Sequence, residues 1–145
     1  MANSIEAGFL PALSVGCALS KASYMLASDL DVALAGTGVS SSQVGALLLL
    51  SRGLAHSPAA LAKLLVLDAG YLTRVLDRLE QQGLVHRTRD MLDRRVVNLS
   101  LTEMGRAVAE HIEHMAPETL NRRLFRFTAQ EFESLSRLLA KLLDE

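Results

Sequence analysis

Between Asp68 and Gly83 the apolar residues Leu72, Val75, Leu76 and Leu79 recur at i, i+3, i+4 and i+7, while Thr73, Arg74, Asp77 and Arg78 occupy the opposite face. That period predicts a helix with one buried side. Asp68 suits its N-cap, and Gly83 suits the left-handed residue that closes it. The period then shortens. Leu84-Val85 opens a strand, and beyond Asp90-Met91-Leu92-Asp93 the residues Val97, Leu99 and Leu101 alternate with Val96, Asn98 and Ser100, as in a half-buried strand. The stretch from Leu67 to Thr102 therefore reads as helix, strand, loop, strand.

Upstream, a long helix is predicted from Phe9 to Leu34, with Leu13, Cys17, Ser20 and Tyr24 on one stripe and Leu19, Leu26 and Leu30 on another. Apolar residues on two faces call for a second partner surface. Gly36-Thr37-Gly38 breaks it, and Ser40-x-x-Gln43 matches a capping box for a helix that turns Val44, Leu47 and Leu48 inward and ends at Arg52-Gly53. Ser57 caps a short helix with Pro58 in its first turn and Leu61, Leu64 and Leu65 as its core face. With Val66-Leu67-Asp68 as the turn, this helix and the next form a helix-turn-helix. Downstream, Thr102 caps a helix carrying Val108, Ile112 and Met115, which Pro117 is expected to kink or interrupt. Thr128-x-x-Glu131 caps a last helix, where Phe132, Leu135, Leu139 and Leu142 follow a spacing close to that of a coiled coil.

Charge changes the reading of the hairpin. Arg87, Arg89, Arg94 and Arg95 crowd into a few residues, and a duplex backbone rewards such crowding by counterion release. A helix beside a basic hairpin is a winged helix. The net charge of -1 describes the whole chain and not this face, since acidic residues gather near the C-terminus at Glu131, Glu133, Asp144 and Glu145. On the recognition helix, Ala69, Gly70, Tyr71, Thr73 and Arg74 lie at the end that enters the major groove in this class of motif. Arg74 offers a bidentate fork to guanine, Thr73 a methyl for thymine or a hydroxyl for phosphate, and Ala69 and Gly70 allow close approach. Arg78 extends the same face, Tyr71 is either a contact or core packing, and Ser57 can donate to a phosphate.

Three segments in order carry a family resemblance: Tyr71 to Val85, Asp90-x-x-Asp93-Arg94-Arg95, and Leu99-Ser100-Leu101-Thr102-Glu103-x-Gly105. Together they closely resemble the signature of the MarR family of bacterial transcription regulators, sharply from about Ser57 to Gly105. The resemblance implies that Arg94 enters a DNA groove from the wing, while Arg95 either contacts DNA or pairs with Asp77 or Asp93. It also implies a homodimer interlocked through its terminal helices, a pseudo-palindromic double-stranded operator, and a small aromatic or phenolic effector held between the dimer helices and the winged unit. Ser20, Tyr24, Met25 and His111 are the residues offered for that pocket.

Other chemistry is thin. Cys17 resembles the sensing cysteine of the family's peroxide-responsive branch, yet Lys21 stands where a tyrosine is expected and Tyr24 is the only one nearby. A buried, inert thiol is the competing reading. His111 and His114 share a helical face, but no third metal ligand is evident. No phosphate loop, nucleophile elbow or catalytic carboxylate pair is present, so neither an enzyme nor a cofactor is expected. The N-terminal residues lack a basic region, and the apolar run Ala46 to Leu50 is too short to span a bilayer. A single cysteine fits a bacterial cytoplasm.

The expected architecture is mostly α with a small β-hairpin wing. A winged helix-turn-helix over about residues 41–104 is flanked by dimerisation helices at about 9–35 and 105–145. The expected function is a homodimeric DNA-binding regulator, a repressor released by an aromatic or phenolic ligand. The alternatives are a thiol switch at Cys17 and a helical dimer that binds proteins and not DNA.

Overall fold

The computed structural model describes residues 3–143, with side chains from residue 12 onward; Asp144 and Glu145 of the acidic C-terminal group, and the side chain of Phe9, lie outside the described residues. In order come α1 (Asn3–Ala33), α2 (Ser41–Ser51), α3 (Pro58–Leu65), α4 (Ala69–Gln81), β1 (Val85–Arg89), β2 (Val97–Leu101), α5 (Glu103–Leu124) and α6 (Ala129–Leu143). The first helix thus begins ahead of the expected Phe9. The strands form one antiparallel pair, with Val85 opposite Leu101 and Arg89 opposite Val97.

The core is that of the winged unit and the first half of α5. Leu47 of α2, Leu61 of α3, Leu72, Leu76 and Leu79 of α4, Val85 of β1 and Ile112 of α5 are all fully buried against one another. Within this core α2, α4, β2 and α5 supply the faces their periods predict, while the stripes of α1 and α6 are largely exposed. In α3, Leu61 and Leu65 point inward at i and i+4, whereas Leu64 lies on the flank and is 52% exposed. In α5, Pro117 does not interrupt the helix, which is continuous to Leu124. The proline is exposed, so the carbonyl that loses its partner can meet water, while buried Ile112, Ala116 and Thr119 hold both halves in place. Packing of that face outweighs the local helix-breaking cost.

Local chemistry fixes the ends. Ser40 N–H donates to Gln43 Oε1 at 3.0 Å. Thr128 and Glu131 form a full capping box, with Thr128 N–H on Glu131 Oε2 at 2.8 Å and Glu131 N–H on Thr128 Oγ1 at 3.2 Å. The α3–α4 turn pivots on Val66, at φ 51, a left-handed conformation that a β-branched residue adopts only under strain. Val66 is also 83% exposed, so its side chain gains little from packing. Val66→Gly is therefore expected to stabilise the fold by about 1 kcal/mol, the relieved strain outweighing the extra chain entropy that glycine loses. The urea unfolding midpoint, read at fixed protein concentration, checks this; a fall in midpoint would mean the turn is not strained.

Candidate nucleic-acid interface

The rotation of α4 about its axis is set by Leu72, Val75, Leu76 and Leu79, all buried. Ala69, Gly70, Tyr71, Thr73, Arg74 and Arg78 consequently face outward. Asp68 Oδ2 accepts from Tyr71 N–H at 3.0 Å, which caps the end expected to meet a duplex. The Arg74 guanidinium lies 5.8 Å from the Tyr71 ring centroid, a cation–π arrangement that pre-orients the fork. Tyr71 is thus neither core nor free; it is the platform under Arg74. Thr73 Oγ1 donates to Ala69 O at 2.8 Å, which leaves its methyl and an acceptor lone pair outward. Ser57 Oγ accepts from Ala60 N–H at 3.2 Å as the α3 cap, and its own proton remains free to donate.

Two glutamines hold this helix at its other end through a contact that sequence patterning, which reads Gln43 only as a cap, does not show. Gln43, buried in α2, donates through Nε2 to Gln82 Oε1 at 2.7 Å, and Gln82 Nε2 donates to Gly38 O. A buried amide so placed must keep its partners, so α4 is tied to the α1–α2 turn. The signal that could have pointed to this contact is a polar residue on the apolar face of α2.

The wing is equally constrained. At its base Thr102 N–H donates to Leu84 O at 3.0 Å and Thr102 Oγ1 to Gly83 O at 2.6 Å, while Leu99 N–H donates to His56 O at 2.8 Å. At its tip Asp90 Oδ1 accepts from Leu92 N–H at 2.8 Å and Asp93 N–H at 3.2 Å, and Asp93 Oδ1 accepts from Arg95 N–H at 3.0 Å. The amides of Leu92 and Asp93 hold the Asp90 carboxyl below the usual carboxylate range. Because the folded value is depressed, this contribution is complete above the unfolded carboxylate range, near ~3.9, and disappears as pH falls through the folded value. The contribution of Asp90 to wing order is therefore insensitive to pH near neutrality. Asp90→Ala is expected to speed hydrogen exchange at Leu92 and Asp93 by roughly tenfold, whereas Asp90→Asn, which keeps an acceptor oxygen, retains most of the protection. Equal exchange in both variants would show that the carboxyl does not order the turn.

Strand register separates the arginines. Alternation places Arg87 and Arg89 on the same face as buried Val85. Arg87 reaches back to α4, with Nη1 2.7 Å from Asp77 Oδ1 and Nε 4.0 Å from Glu80 Oε2. The expected pairing of Arg95 with Asp77 or Asp93 is therefore corrected: Asp77 belongs to Arg87, and Asp93 takes the backbone amide of Arg95. Arg87 ties wing to helix. Among the described residues, Arg74, Arg78, Arg89, Arg94 and Arg95 are exposed and make no ion pair. Arg52 and Arg123, by contrast, pair with Glu113 and Asp29.

The residues offered for an effector do not line the cleft between α1 and α5. Ser20, Tyr24 and His111 are exposed and Met25 is half-buried. A cleft of about 340 Å³ between α1 and α5 is lined by Asp29, Val32, Ala33, Met115, Glu118, Thr119 and Arg122, none of them among the four. Beside it Arg123 grips Asp29, its Nη2 3.0 Å from Oδ1, and this holds the Asp29 carboxyl below its usual range. Cys17 is exposed on α1, not buried. No three metal-ligating side chains come together among the described residues, and no described helix is long and apolar enough to cross a membrane.

This geometry has counterparts. The MarR family model matches residues 39–97, which span α2 to the start of β2. The multiple antibiotic resistance protein MarR of Escherichia coli is 39% identical over 88 residues, 60% of this chain and 61% of that protein. Its Salmonella typhimurium counterpart is 38% identical over 88 residues, with coverages of 60% and 61%. The matched stretch thus spans 61% of the length of these curated relatives. Over the whole fold, the crystal structure of a cysteine-to-serine mutant of E. coli MarR complexed with operator DNA superposes with a TM-score of 0.81. It is 30% identical and the match covers 94% of this chain and 98% of that one. Matched in sequence to this extent over nearly the whole of that fold, the chain belongs to the MarR family.

Proposed function

We propose that the chain is a homodimeric transcription regulator that binds a pseudo-palindromic, double-stranded operator, and a repressor released by a small aromatic or phenolic ligand. The observation that carries the reading is the set of unpaired arginines shared by α4 and the wing, Arg74 and Arg78 on one and Arg89, Arg94 and Arg95 on the other. Exposed, unneutralised guanidinium groups on two adjacent projections match two adjacent grooves and the phosphates between them. The E. coli relative is complexed with operator DNA, which favours the same partner here.

A second copy is the natural cover for the terminal helices. No residue of α6 is buried, and its Phe132, Leu138 and Leu142 lie exposed, as do Leu13 and Val15 of α1. Apolar surface of this kind is rare on a monomer. Sedimentation at micromolar concentration is expected to return a dimer; a stable, folded monomer would remove the symmetric-operator reading. The α1–α5 cleft can seat a small aromatic ring against Val32 and Met115, and because Asp29 and Glu118 also line it and Arg122 lies 3.6 Å from Glu118, a neutral phenol suits it better than an acid. A ligand there lowers operator affinity only by binding more tightly to a form whose recognition helices are wrongly spaced.

Selection of bound duplexes from a random pool, repeated with candidate phenols and aromatic acids, tests the reading. The expected result is a palindromic motif whose affinity falls by roughly 5–150-fold with an active ligand. A pool that shows no enrichment at low salt would overturn it.

A further inference from the structure

The wing tip carries two side chains that arginine chemistry does not explain. Met91 is 99% and Leu92 100% exposed, the most exposed large apolar residues among those described. They sit at the far end of the hairpin from buried Val85 and Leu101, so nothing in the winged unit covers them. Nor is the loop slack: Leu92 N–H is held by Asp90, and Val96 closes the turn by donating to Asp93 O at 2.9 Å and accepting from Asp90 N–H at 3.0 Å. A tightly built turn thus presents two large apolar groups to solvent, between Asp90 and Asp93, whose carboxylates accept backbone amides of the turn, and beside unpaired Arg89, Arg94 and Arg95.

We propose that Met91 and Leu92 are an apolar wedge for the minor groove. This rests on the DNA-binding reading above and adds to it a second, uncharged mode of recognition. The arginines supply the complementarity that brings a polyanion to the tip, which selects a duplex over a neutral protein surface. Once Arg94 lies along the groove, the neighbouring Met91 and Leu92 meet deoxyribose faces and base edges, the apolar surface a minor groove offers. Side chains of this type enter between base steps at a cost in unstacking that is lowest at pyrimidine–purine steps. The wedge therefore reads deformability, and it prefers a flexible step beneath each wing.

The test compares wild type, Met91→Ser with Leu92→Ser, and Met91→Leu with Leu92→Met, by salt titration against a selected operator. The same measurements are made on the operator with the step beneath each wing replaced by a rigid one. Both side chains are solvent-exposed, so the variants keep the fold, checked by circular dichroism. The serine variant is expected to lose about tenfold or more in operator affinity, as removal of buried apolar contact requires. Its slope of log affinity against log salt stays at the wild-type value, and it no longer distinguishes flexible from rigid steps. The exchanged Leu–Met variant keeps both properties. Unchanged affinity and step preference in the serine variant, with wild type still bound to its operator, overturns the wedge and leaves the regulator reading standing. A loss accompanied by a lower salt slope, or a change in self-association in place of DNA affinity, also overturns it. Failure of wild type to bind any duplex removes both readings together.

Discussion

Gly105→Ala is expected to destabilise the protein by about 3 kcal/mol, the sum of an overpacking term and a lost backbone hydrogen bond. Gly105 lies in the first turn of α5, where alanine would ordinarily be the better helix former. Here a Cβ would stand 2.0 Å from Leu84 O and 3.0 Å from Leu84 C, with Leu101 Cδ2 at 3.3 Å. The nearest obstacle is backbone, which cannot rotate away as a side chain end would. It is also the carbonyl that accepts from Thr102 N–H, the bond that seats the wing on the start of α5. Alanine must push the helix off the hairpin or break that bond. Gly83→Ala is the control: its φ is +71, but nothing lies within 4 Å of a Cβ there, so the cost is conformational strain alone, about 1 kcal/mol. Urea unfolding of the two variants at equal protein concentration decides the matter. A Gly105→Ala midpoint no lower than that of Gly83→Ala would mean that α5 and the wing are not in close contact.

Gly105 also marks where sequence reasoning stops. As a residue of the Leu99 to Gly105 motif it was visible, but the reason for it depends on Leu84, brought against it by the fold. Caps and faces were legible because their signals are local: Asp68 three residues before Tyr71, Ser57 before Ala60, Thr102 before Gly105 and Thr128 before Glu131 each meet the predicted amide. Partners across elements were not. Arg87 and Arg95 carry the same charge, and only the strand register decides that Arg87 shares the inner face with Val85 and captures Asp77. Gln43 reads as a helix cap, which it is, while its contact with Gln82 spans 39 residues. Pro117 reads as a kink or interruption of α5, since the surfaces that bury Ile112, Ala116 and Thr119 and carry the helix through it belong to elements distant in sequence. The cleft between α1 and α5 was the least legible. Its lining joins residues 29–33 to residues 115–122, and no periodicity within either helix signals a concavity between them.

Within the proposed regulator, Arg94→Ala and Arg74→Ala are expected to fail in different ways, because one residue positions the duplex and the other reads it. Arg94 sits at the wing, exposed and unpaired, beside a turn ordered by Asp90. A groove or phosphate contact there acts mainly through charge, so its loss weakens binding to a selected operator and a scrambled duplex alike. Each phosphate contact removed lowers the slope of log affinity against log salt by roughly 0.9, and a symmetric dimer loses two, for a change of roughly 1.8. Arg74 stands over the Tyr71 ring on the outward face of α4, where a fork held in one orientation can take both acceptors of a guanine. Its removal costs about 1–3 kcal/mol of discrimination per half-site at one base position and leaves affinity for the scrambled duplex nearly intact. Tyr71→Leu, which removes the platform and keeps the bulk, is expected to reproduce part of the Arg74 effect without touching the salt slope. Salt titrations of the three variants, with each half-site position substituted in turn, separate the roles. If Arg74→Ala lowers the slope and spares base preference, Arg74 is a phosphate contact and the reading of guanine falls. If neither Arg94→Ala nor Arg74→Ala changes affinity, slope or preference, the α4–wing unit is not a DNA reader, and the function proposed for this chain falls with it.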